Sequence, residues 1–101
     1  MKAQIQSVNF KADQKLIDFV QERLSKLEQF HDRIIDGEVF LKVANNHSHQ
    51  NKIVELKVNI PGNEMIAKKQ AKSFEHAMDL SAEALRRRLK KEKEKRRAMA
   101  S

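Results

Sequence analysis

The chain has no cysteine, no tryptophan and no tyrosine, and its aromatic residues are five phenylalanines. Without thiols there is no disulfide scaffold and no thiolate zinc site. Glycine is nearly as scarce. Gly37 and Gly62 stand alone, and both read as turn residues, so no glycine-rich loop is left to cradle a phosphate. No apolar stretch approaches the about 20 residues of a membrane span. The opening Met1-Lys2-Ala3-Gln4-Ile5-Gln6 is polar and alternating, which is not the pattern of a signal peptide. The expected compartment is the cytoplasm.

What the chain does have is charge, unevenly placed. Its 101 residues are 35% charged and 40% hydrophobic, too apolar for disorder by composition and enough for one modest core. Twenty-one Lys and Arg face fourteen Asp and Glu, a formal net charge of +7. Nine of the basic residues lie between Arg86 and Arg97, opposed there by Glu92 and Glu94 alone, so this segment carries +7 by itself. The rest holds twelve charges of each sign and is neutral. A field concentrated in this way points to a polyanionic partner, nucleic acid first and an anionic membrane surface second.

The apolar spacing predicts six elements. Residues 3–10 alternate as a strand, with Ala3, Ile5 and Ser7 on one side. Asp13 is the expected N-cap of a helix reaching about Phe30, with Leu16, Val20, Leu24 and Leu27 as its apolar stripe. Asp36-Gly37 reads as a break. Residues 38–44 then alternate, with Val39, Leu41 and Val43 inward and Phe40 on the outward row. A polar loop follows over 45–51, and a strand carries Val54, Leu56, Val58 and Ile60 inward. Pro61-Gly62 supplies a type II turn, and residues 64–71 return with Met65 and Ala67 inward. Ser73 caps a second amphipathic helix through Phe74, Met78, Ser81, Leu85 and Leu89, which good helix formers continue to about 95. Such a helix is about 33 Å long against about 23 Å for a seven-residue strand, so its basic end should overhang the body. Residues 1–97 make a single domain with a basic helix end, and 98–101 a frayed tail. The order β-α-β-β-β-α, opened by a right-handed βαβ unit, gives an α+β two-layer sandwich: a four-stranded sheet with both helices on one face.

Catalytic groups are not clustered by spacing, and the chain is read as a non-enzyme with no metal, cofactor or small-molecule substrate. His47 and His49 lie in the polar loop with no acid beside them, His76 on the outer face of the second helix. His31 ends the first helix, where a partly charged imidazole suits the dipole. The basic segment is different. Dipole complementation accounts for two or three cations in a last turn. It does not account for nine, because Arg86/Lys90 and Arg87/Lys91 are like-charge pairs at i,i+4 that repel. A polyanion would relieve that repulsion. A membrane helix needs an apolar face below the cations, and beyond Leu89 there are only Ala98, Met99 and Ala100. No recognition-helix framework or zinc finger is present, and Phe40 alone cannot make an RRM platform. What remains is binding of structured RNA by shape and phosphate.

The residues that carry this reading also carry a resemblance. Leu16-Ile17-Asp18-Phe19-Val20, then Arg23 through Ile34 (Arg-Leu-Ser-Lys-Leu-Glu-Gln-Phe-His-Asp-Arg-Ile), then Val39-Phe40-Leu41-Lys42-Val43, resemble the ribosome hibernation promoting factor family. That family includes the ribosome-associated inhibitor A and also bears the older name sigma-54 modulation protein. Phe74-Glu75-His76-Ala77-Met78-Asp79 leading into Leu85-Arg86-Arg87-Arg88-Leu89-Lys90-Lys91 fits as well, and the resemblance spans residues 1–97. It implies a domain that docks in the mRNA channel of the 30S subunit, at the A and P sites. There it would contact 16S rRNA and inhibit translation under stress or in stationary phase by blocking mRNA and tRNA. It implies RNA-binding roles for Arg23 and Lys26 in the first helix and for Arg86, Arg87, Lys90 and Lys91 in the second, with Lys93 and Lys95 continuing the run. The chain resembles the short form of the family, expected to be a monomer away from the ribosome and to need another factor for any 100S dimer. Where members often carry an aromatic after the Phe74 position, this chain has Glu75. The alternatives of another class are a general structured-RNA binder or RNA chaperone, and a protein-interaction module.

Overall fold

A computed structural model describes residues 2–44 and 49–100. The elements are β1 (Lys2–Val8), α1 (Gln14–Phe30), β2 (Asp36–Val43), β3 (Lys52–Ile60), β4 (Asn63–Ala71) and α2 (Phe74–Ala100). The strands form one sheet in the order β1-β2-β3-β4, β1 parallel to β2 and the other pairs antiparallel. The expected two-layer sandwich is the fold: the apolar rows of both helices share one face of the sheet in a single core.

The register stacks the inward residues in rows across the strands. Ile5, Val39, Leu56 and Ala67 make one row, and Ala3, Gly37, Val58 and Met65 the next. α2 packs over β3 and β4, where Ala67 and Ala71 leave room for it, and α1 lies beside α2 above β1. Leu16, Val20, Leu24 and Leu27 are buried on α1, and Phe74, Ala77, Met78, Ser81, Leu85 and Leu89 on α2. The Ser81 hydroxyl, fully buried, is directed to the Val54 carbonyl at 3.4 Å.

Local chemistry sets the ends of the elements. The Asp13 carboxylate accepts the Leu16 N–H at 2.9 Å, capping α1. Ser73 caps α2, its Oγ accepting the His76 N–H at 3.1 Å. Gly62 has φ +77°, the left-handed conformation that the third position of a type II turn requires.

Several boundaries differ from the sequence reading. Asp36 and Gly37 are not a break but the first residues of β2. The Asn59 amide donates to the Asp36 carboxylate at 2.5 Å and the Ile35 N–H bonds to the Asn59 carbonyl, so ladder pairing with β3 overrides turn preference. β1 ends at Val8 rather than at residue 10, because Asn9 takes φ +62° and turns the chain out of the sheet. Phe10 then stacks on Phe74 with ring centres 5.0 Å apart. Val43, expected inward, is exposed: β1 stops level with Lys42, so Val43 has a neighbouring strand on one side only. α2 runs to Ala100, beyond the expected 95 and into the segment read as a frayed tail. Residues 45–48 of the polar loop, with His47, and residue 101 lie outside the described residues.

Candidate RNA-binding surface

Both helices return antiparallel to the strands that precede them, so they run side by side in the same direction. Contacts advance together along them: Arg23 meets Asp79, Phe30 meets Arg86, and His31 meets Glu92. α2 has 27 residues and is about 40 Å long at ~1.5 Å per residue, whereas nine-residue β4 spans about 30 Å. The basic end therefore projects about 10 Å past the sheet, at the end where β4 begins.

The eight implied RNA-binding residues fall on this helical layer and divide into two groups. Arg23, Lys26, Arg86 and Arg87 are already paired. Arg23 donates from Nε to Asp79 at 2.6 Å and from Nη1 to Glu22 at 3.1 Å, and its guanidinium lies 4.3 Å from the centre of the Phe19 ring. Lys26 sits 3.5 Å from the same Glu22 carboxylate. Arg86 clasps Glu83 with two hydrogen bonds, at 3.0 and 2.9 Å, above the Phe30 ring. Arg87 reaches the same carboxylate at 3.5 Å. These contacts hold the guanidinium pKa values of Arg23 and Arg86 above their ordinary level, through the hydrogen bonds to Asp79 and Glu83 respectively. Conversely, the bond from Arg86 lowers the Glu83 carboxyl.

Lys90, Lys91, Lys93 and Lys95 make no ion pair or side-chain hydrogen bond with another described residue. By helical spacing Arg86, Lys90, Lys93 and Arg97 continue one row beside α1, while Arg87, Lys91 and Lys95 form a second row on the outer side. Arg23 and Lys26 extend the first row onto α1, across the shallow groove that they share with Arg86. The geometry thus gathers Arg23, Lys26, Arg86, Lys90 and Lys93 in one row, leaves Arg87, Lys91 and Lys95 on the outer side of α2, and adds to the first row the exposed Arg97. Spacing at 86, 90, 93 and 97 was the signal for it.

Not every cation of the segment faces outward. Arg88 turns to the sheet and donates to the Ile66 carbonyl at 2.5 Å, and Arg96 lies against Glu92 at 3.7 Å. The acids Asp79 and Glu83 were missed as part of the surface. Glu83 was legible at i,i+3 and i,i+4 from Arg86 and Arg87, but nothing in the sequence pairs Arg23 with Asp79. His31 ends α1 as expected, at its C-cap, but it is fully buried and bonded through Nε2 to Glu92 at 2.8 Å, a partner on α2 that nothing in the sequence indicates. Apolar packing of α2 continues to Leu89, and this polar contact carries docking one turn further.

The opposite face of the sheet is charge-balanced. Lys57 bridges Glu38 at 3.3 Å and Glu64 at 3.7 Å, the bond to Glu38 chiefly raising its pKa, and Lys42 pairs with Glu55 at 3.0 Å. Phe40 stands among these polar pairs, with the Lys42 ammonium 5.8 Å from its ring centre. Among the described residues, no group of three or more His, Cys, Asp or Glu is placed to hold a metal ion, and no helix is long and apolar enough to cross a membrane.

The chain is 34% identical over 99 residues to a protein of Pseudomonas putida named ribosome hibernation promoting factor, covering 98% of this chain and 93% of that one. A ribosome hibernation promotion factor of Deinococcus radiodurans is 30% identical over 90 residues, which are 87% of this chain and 47% of that longer protein. The fold is shared with a ribosomal subunit interface protein of Coxiella burnetii (TM-score 0.81, 20% identity, 92% of this chain and 98% of that one). It is shared too with the N-terminal domain of Thermus thermophilus Protein Y (TM-score 0.77, 20% identity, 90% and 98%). The family model described as sigma 54 modulation protein / S30EA ribosomal protein matches residues 3–97, nearly the whole length, and the chain belongs to that family.

Proposed function

We propose that this chain is a ribosome hibernation factor. It binds the small ribosomal subunit through 16S rRNA in the decoding channel, at the A and P sites, and inhibits translation in stress or stationary phase by excluding mRNA and tRNA. The observation that carries this reading is the segregation of charge: a net +7 on residues 86–97, on a helix end that projects from an otherwise neutral body. The names of the relatives support the ribosome as the target. Arg23, Lys26, Arg86, Arg87, Lys90, Lys91, Lys93 and Lys95 hold phosphates, and the function needs no catalysis and no cofactor. A ribosomal partner places its action in the cytoplasm, and away from the ribosome it is a monomer.

Two properties separate this reading from that of a general structured-RNA binder. Purified 30S subunits should bind the protein more tightly than an isolated RNA duplex or tRNA at equal salt. Addition of mRNA and initiator tRNA should displace it. Equal affinity for free duplex and 30S would favour the general binder. Association that survives nuclease treatment of the ribosomes would favour a protein partner.

A further inference from the structure

A run of cations assembled only to attract phosphate has no use for acids, yet Glu92 sits in its middle, with Lys91 and Lys93 beside it and Arg88 and Arg96 one turn away. Its carboxylate does not simply offset them. Oε2 lies 2.8 Å from Nε2 of His31, on the other helix, while Oε1 reaches Arg96 at 3.7 Å. His31 is fully buried, and its Nδ1 accepts the backbone N–H of Arg33 at 3.2 Å. The proton is therefore on Nε2 and is donated to Glu92. Among the described side chains of α2, Leu89 is the last buried apolar one, and the helix runs on to Ala100. A terminal helical segment of this length has little stability of its own.

We infer that Glu92 and His31 are positioning residues: their hydrogen bond sets the direction in which the basic end of α2 leaves the body. It presents the row Arg86, Lys90, Lys93 and Arg97 in line with Arg23 and Lys26, so that successive phosphates are met by a preorganised surface. The consequence for binding rests on the ribosomal reading above. The tether itself does not.

Three substitutions at Glu92, which is 25% exposed, separate tether from charge. On charge alone, E92Q, E92A and E92K should all tighten RNA binding, because each removes a negative charge from the patch. The tether requires a different order. E92Q keeps an acceptor for the His31 N–H and binds 30S at least as tightly as wild type. E92A and E92K lose that acceptor and bind about tenfold more weakly, the factor that one charge-assisted hydrogen bond carries. For E92K this loss comes despite two added units of positive charge. Amide hydrogen exchange reads the tether directly. Residues 90–97 should exchange faster in E92A than in wild type or E92Q, with residues 74–89 unchanged. H31F, which keeps a ring but no donor, should match E92A, and the Glu92 variants decide the matter if H31F fails to fold. Tighter binding by E92A and E92K, or unchanged exchange over 90–97 in E92A, overturns the inference. A wild-type protein that ignores 30S refutes the ribosomal reading instead, and the exchange measurement still decides the tether.

Discussion

The four lysines that lack partners among the described residues offer the sharpest test of how the surface works. In the variant K90A/K91A/K93A/K95A the neutralised cations are those that give up no internal ion pair when they meet phosphate. Each phosphate neutralised contributes about 0.7–0.9 to the slope of log K against log salt. If each lysine meets one phosphate, the variant should lose about 3 units of that slope. Raising KCl from 50 to 200 mM should then weaken wild type by about sixtyfold more than it weakens the variant. The fold should not suffer. Alanine is the best helix former, and the like-charge pairs Arg86/Lys90, Arg87/Lys91 and Lys91/Lys95 disappear, each a penalty of a few tenths of a kcal/mol. Thermal melting followed by circular dichroism should therefore stay level or rise while 30S binding falls, read by anisotropy of a labelled protein titrated with subunits across a salt series. An unchanged salt slope would refute the assignment of these lysines to phosphate. Loss of binding accompanied by loss of helix would refute the claim that they are dispensable to the fold.

Two further outcomes follow from local geometry. Asp13→Ala removes the cap on α1 and should cost about 1 kcal/mol in urea denaturation, with the RNA surface chemically intact. The Glu83 carboxyl, held below the ordinary glutamate range by Arg86, has a folded pKa lower than its unfolded one. Its contribution to stability is thus present above the unfolded value and lost as pH falls through the folded value. A carboxyl-detected NMR titration should place its midpoint below the usual glutamate range, and R86Q should move it upward. A wild-type midpoint in the ordinary range would contradict the Arg86–Glu83 clasp.

Much of the fold was legible because its signals are local. Leu16, Val20, Leu24 and Leu27 repeat at helical spacing and are all buried, Asp13 and Ser73 cap the two helices as read, and Gly62 takes the positive φ that Pro61-Gly62 implies. The errors occur where a distant partner outweighs a local preference. Gly37 looks like a turn until Asn59 bonds to Asp36 and draws both residues into the ladder. Val43 belongs to an apolar row by alternation, yet β1 is too short to flank it.

The same division runs through the candidate site. By itself the sequence determined where the charge lies, that it sits on a helix long enough to protrude, and which family it resembles, since charge and helical period are properties of neighbours along the chain. Only the tertiary structure decided how those cations are used. It turned Arg88 to a sheet carbonyl, neutralised Arg23 with an acid 56 positions away, and tied Glu92 to a buried histidine on the other helix. The first of these depends on the packing of α2 over β4 and the other two on the parallel packing of the two helices, relations in space that no spacing along the chain encodes.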